Sequence, residues 1–123
     1  MRQHLEPGPD HPISIESKIA PVRIVLAGEI VLASVTHLEL REATYPAALY
    51  LPRSELDLSR LERSSHTTWC PYKGEASYYH LRRADGSRVE NAIWTYETPF
   101  PAVATIKDAL AVYRDRVDAI EVG

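Results

Sequence analysis

The sequence predicts a mainly β fold: a compact antiparallel sheet or two, with one or two short helices. Three observations carry this. Apolar residues alternate with polar ones at a period of two in several short runs, as half-buried strands require. Glycine-containing turn signals separate those runs. Only two stretches, around residues 54–64 and 99–110, read as helical, and both are short.

Residues 1–12, "MRQHLEPGPDHP", are rich in Pro, Gly and charge and predict an irregular arm. Residues 13–123 then form one β-rich domain. "VRIVLAGEIVLASV" holds two apolar runs around Ala27-Gly28-Glu29. Gly28 supplies the positive φ of a hairpin turn, and Val22, Ile24 and Leu26 share one face. "HLELRE" repeats the alternation, with Leu38 and Leu40 on one side and Glu39 and Arg41 on the other. "AALYL" is a further short strand, ended by Pro52, which has no N–H for a ladder. In "SELDLSRLERS", Ser54 is placed to cap one or two helical turns, with Asp57 three residues on. "EASYYHLRR" and "RVENAIWTYE" flank Ala84-Asp85-Gly86-Ser87, a strong hairpin signal. "PFPAVATIKDAL" opens with prolines that suit a helix start. "LAVYRDRVDAIEV" predicts two short strands around Arg114-Asp115-Arg116.

The totals exclude several function classes. A chain of 123 residues can bury a core without staples. Its net charge of −3 argues against sequence-independent nucleic-acid binding, which needs a basic surface. The single cysteine excludes an internal disulfide and a thiolate zinc site. A free thiol fits a reducing, cytoplasmic setting. The longest apolar run falls far short of the ~20 residues that span a bilayer, and the first residues hold no apolar signal core. The five histidines show no metal-ligand spacing. The expectation is therefore no membrane partner, no nucleic acid, no metal and no cofactor.

Candidate chemistry gathers around "TTWCPYKGEASYYH", residues 67–80. Glu42 shares its strand face with Leu38 and Leu40. A buried carboxylate must find a cation, take up a proton or reach solvent. So Glu42 ends its strand in solvent, pairs structurally, or belongs to a site. Cys70 reads as a nucleophile or redox thiol with Lys73 near and His66 or His80 as bases, or as a small buried apolar residue. Lys73-Gly74 lacks the glycine-rich frame of a phosphate loop, so a lysine at a turn is the plainer reading. Pro71 and Gly74 read as a tight turn. Ala92, Trp94 and Tyr96 alternate onto one face, which is core or the wall of a small-molecule pocket. Tyr50 and Tyr72 are candidates for the same wall.

The words "HPISIE", "VRIVLAGEIVLAS", "LELREATYPAALYLPRSELDLSRLERSSHTTWCPYKGEASYYHL" and "ENAIWTYETPFPAVATIKDALAVYRDRVDAIEV" resemble domain of unknown function 427, a family of small, mostly bacterial proteins. The resemblance covers nearly everything from His11 to Val122. It implies a tent-like pair of sheets of the Mss4 type and no established activity. Its signature positions fall on Glu42, Tyr50, Pro52, Cys70, Pro71, Lys73, Gly74, Trp94, Tyr96 and Pro99. Arg114 departs from it, standing where many relatives have proline. The zinc that tent-like relatives hold through cysteine pairs is ruled out by the single cysteine. Relatives are sometimes filed under a nucleotidyltransferase-like name. This chain has no D-x-D pair and no glycine-rich loop, so its residues do not support that chemistry.

The leading expectation is a small-molecule pocket walled by Trp94, Tyr96 and Tyr50, with Glu42, Lys73 and Cys70 as its polar groups. The alternatives are an enzyme using Cys70 or Glu42, with Lys73 as a third catalytic candidate, for nucleophilic or acid–base work, and a non-catalytic interaction module, including a homodimer through an exposed strand edge.

Overall fold

In a computed structural model that describes residues 2–123, the chain runs through ten strands. These are β1 (Ile13–Lys18), β2 (Val22–Leu26), β3 (Glu29–Ser34), β4 (His37–Glu42) and β5 (Ala48–Leu51), then β6 (Leu61–Cys70), β7 (Gly74–Arg82), β8 (Arg88–Thr95), β9 (Leu110–Val112) and β10 (Ala119–Val122). They form two antiparallel sheets. The larger has seven strands in the order β1-β4-β5-β9-β8-β7-β6, the smaller three in the order β10-β2-β3.

The turns follow from local chemistry. Ala27 and Gly28 both take positive φ, 53° and 77°. That is the mirror-image turn whose twist matches a two-residue hairpin, here β2–β3. In the β7–β8 hairpin Gly86 takes φ 88°, and the Asp85 carboxylate accepts from the Ser87 backbone N–H at 2.9 Å. β5 stops at Leu51, immediately before Pro52.

Alternation along the central strands feeds two cores. Leu51, Ile93, Leu110 and Val112 meet Val22, Ile24, Leu26 and Leu32 of the small sheet. Tyr50, Ala111, Tyr78, Tyr96 and Leu40 form the second core, covered by Val103 and Ile106. The covering residues belong to a 3₁₀ segment, Pro101–Ile106, with a kink at Val103.

Three local expectations need correction. Ser54 is no cap: the first 3₁₀ turn, Arg53–Glu55, follows Pro52, and the Asp57 side chain caps the second, Leu58–Arg60. The helical reading of residues 61–64 gives way to β6, an edge strand with mostly exposed Ser, Thr and His. Such a strand lacks the apolar alternation that reveals strands. Ala92 does not share a face with Trp94 and Tyr96. It packs in the first core and they in the second, because Asn91 takes φ 50° and the β7–β8 register shifts there. The arm lacks regular elements and is fastened to the β6–β7 corner: the Leu5 N–H donates to the Pro71 carbonyl at 2.9 Å and the Trp69 indole N–H to the Gln3 carbonyl at 2.8 Å.

Candidate functional site

The site grows from the hairpin corner between β6 and β7. Cys70 pairs with Gly74, leaving Pro71-Tyr72-Lys73 as the loop. Gly74 sits at φ +108°, and a Cβ there would stand 3.5 Å from the Thr98 carbonyl. Only glycine takes that conformation without strain. The Lys73 carbonyl accepts from the Phe100 N–H at 3.1 Å. The backbone around Lys73 is thereby held from both sides, and its side chain turns inward.

Glu42 is the last residue of β4 and shares the face of Leu38 and Leu40, as the period of two requires. Its carboxylate forms an ion pair with the Lys73 ammonium, the two side chains being 14% and 10% exposed. The other carboxylate oxygen accepts from His11 Nε2 at 2.7 Å. His11 also stacks on Tyr72, ring centres 3.9 Å apart. Burial alone would push the Glu42 carboxyl up, but the hydrogen bonds and charges of Lys73 and His11 together hold it below the ordinary carboxylate value. The Glu42 carboxylate therefore stays ionised at neutral pH.

Glu42 and Lys73 line a cavity of about 630 Å³. Six aromatic side chains line it too: Tyr45, Tyr50, Tyr78, Trp94, Tyr96 and Tyr113. The Trp94 indole N–H donates to the Tyr50 hydroxyl at 3.0 Å. Trp94 packs on Tyr113 with ring centres 4.5 Å apart. The Tyr78 hydroxyl lies 2.9 Å from that of Thr68 and 3.3 Å from that of Tyr113. Burial pushes the Tyr50, Tyr96 and Tyr113 phenols above their ordinary range, so they present neutral O–H groups. Arg114 and Asp115, both exposed, stand at the rim.

Of the residues singled out from sequence, Glu42, Lys73, Tyr50, Trp94 and Tyr96 come together on this cavity. Cys70 does not line it. That thiol is half-buried and packs against the aromatic core. It ends a strand, so no helix N-terminus acts on it. Neither histidine is placed as its base. His66 lies four residues back on β6, about 13 Å along an extended strand, and packs against Tyr78. His80 pairs across from Glu62, well along the hairpin from Cys70, and accepts from the Asn91 N–H. Tyr72 faces His11 rather than the cavity.

Sequence reasoning missed His11, Tyr45, Tyr78 and Tyr113. Tyr113 carried a signal, because it follows the apolar run of β9 directly. His11 carried none: its partner is 31 residues away. Among the described residues, no group of three or more His, Cys, Asp or Glu side chains is placed to hold a metal ion. No helix of the described residues is long and apolar enough to cross a membrane.

A family model described as a domain of unknown function, DUF427, matches residues 14–123. No curated protein matches the chain.

Proposed function

The chain belongs to the DUF427 family, and we propose that it binds a small organic molecule in the aromatic cavity. One observation carries the reading: a nearly buried ion pair, Glu42–Lys73, sits in a cavity whose wall is mostly aromatic and aliphatic. Ligand sites combine apolar walls with a few fixed polar groups at volumes of about 300–1,000 Å³. A pair needed only for stability would do as well with apolar residues of similar volume. Trp94 supplies a flat face for stacking, with Tyr113 tilted against it, and Glu42 and Lys73 fix orientation. Cys70 supports the wall from behind and stays out of the chemistry. A tent-like, Mss4-type relation of the two sheets, a bacterial source and a cytoplasmic setting belong to the same proposal. The unpaired thiol supports the last of these.

The test is a fragment screen by thermal shift on the full chain, followed by titration of the hits against Trp94→Phe and Glu42→Gln. Both variants should keep the fold and weaken the hits severalfold. Lower melting temperatures with unchanged affinities would make the cluster purely structural and reject the reading.

A further inference from the structure

The face of the large sheet opposite the cavity carries a second cluster. Tyr78 lines the cavity, so its neighbour Tyr79 points the other way, against the first core. Two arginines from separate elements converge on the Tyr79 hydroxyl. Arg53 Nη2 donates to it at 3.1 Å and Arg63 Nη1 at 3.3 Å. Each guanidinium carbon also lies 5.4 Å from the centre of the Tyr79 ring. Both arginines are held in place. Arg53 opens the 3₁₀ turn Arg53–Glu55. The Glu55 carboxylate ties that turn down by accepting from the Val35 and Thr36 backbone N–H groups and from the Thr36 hydroxyl. Arg63, on edge strand β6, donates to both oxygens of Glu97, at 2.7 and 3.0 Å. None of these residues lines the cavity.

Charge and hydrogen bonding are both left unbalanced there. The hydrogen bonds from Arg63 hold the Glu97 carboxyl below its ordinary value, so Glu97 is ionised and answers that arginine. Arg53 has no such partner. Among the described residues its side chain bonds only Tyr79, and no carboxylate lies within ion-pair distance of it. Two guanidiniums against one carboxylate leave a surplus of one positive charge. The Tyr79 hydroxyl accepts from both arginines, and its own O–H meets no acceptor among the described residues. Arg53 also keeps most of its N–H donors unused. Arg63 and Glu97 are 51% and 39% exposed, and Arg53 and Tyr79 are half-buried, so the cluster is open to solvent.

We propose that Arg53, with the Tyr79 hydroxyl and Arg63 beside it, forms a surface site for one oxyanion, the carboxylate or phosphoryl group of a ligand. The planar guanidinium fork matches either group. The site lies outside the cavity, and its test does not depend on the cavity reading.

The experiment titrates the full chain with inorganic phosphate and with acetate, the ionic strength kept constant with chloride. NMR follows the arginine side-chain N–H groups and the Tyr79 ring. Saturable shifts confined to Arg53, Arg63 and Tyr79 are expected. Arg53→Met should weaken binding about tenfold, as loss of a charge-assisted contact does. Arg53→Lys keeps the charge without the fork and should fall between wild type and Arg53→Met. Tyr79→Phe should weaken binding about threefold, the loss of one neutral donor, and its melting temperature checks that the fold survives. Arg41→Met removes an exposed arginine of β4 and should change nothing. Tighter binding of phosphate assigns a phosphoryl group and tighter binding of acetate a carboxylate; either supports the site. Shifts that do not saturate overturn the proposal. So does unchanged binding by Arg53→Met, or an equal loss in Arg41→Met, which would mean general counter-ion screening.

Discussion

Replacing Lys73 with methionine isolates the ion pair that anchors the cavity. Methionine keeps most of the lysine stem, so packing against Tyr96 changes little. The carboxylate of Glu42 loses its ammonium partner and keeps only His11. Breaking a buried pair by removing one partner costs about 3–5 kcal/mol. Here the side chains are 10% and 14% exposed and His11 still donates, so the expected loss is about 2–3 kcal/mol, below that range. At an unfolding entropy of about 2.1 cal/mol/K per residue, 123 residues give about 0.26 kcal/mol/K. The melting temperature should therefore fall by about 8–12 °C. Urea unfolding followed by circular dichroism measures the free energy, and a scan measures the temperature. Adding Glu42→Gln removes the stranded charge and should recover more than half of the loss. The pH dependence gives a second reading. The Glu42 carboxyl is held below its ordinary value near 4.5 in the folded chain. A depressed carboxyl stabilises fully above its unfolded value, and the stabilisation is lost as pH falls through the folded value. The gap between wild type and Lys73→Met should thus be widest above pH 4.5 and close on acidification. A single variant within about 0.5 kcal/mol of wild type, or a double variant worse than the single, would refute the reasoning.

Ala27 pays for a left-handed backbone that glycine or asparagine adopts more readily, so Ala27→Asn should raise stability by about 0.5–1 kcal/mol in urea unfolding. Gly74→Ala should lower it by about 1–3 kcal/mol, because φ +108° is a conformation only glycine holds without strain. Displacement of Lys73 should accompany that loss, seen as weaker fragment binding. Cys70 should label slowly with a thiol reagent in the native chain, and Cys70→Ala should leave fragment affinity unchanged, since the thiol lies outside the cavity.

Much of this protein was legible in its residues, because several of its determinants are local. The β2–β3 turn needs positive φ, and Gly28 announces it. β5 must end where proline removes a donor. The period of two along β4 sends Glu42 inward with Leu38 and Leu40, and an inward carboxylate needs a partner. Lys73, set beside a proline–glycine corner, was a candidate cation and does meet it. Three things were decided only by tertiary structure. β9 and β10 are neighbours in sequence, yet β9 enters the centre of the large sheet and β10 edges the small one. β6 forms on an outer edge, where pairing with β7 supplies order that its exposed polar side chains do not encode. His11 closes on Glu42 from an arm whose composition predicts no regular structure. Each of these depends on contacts between residues distant in the chain. Local periodicity and turn chemistry constrain backbone direction over a few residues, whereas which strands pair and which side chains meet is set by how the apolar faces bury one another.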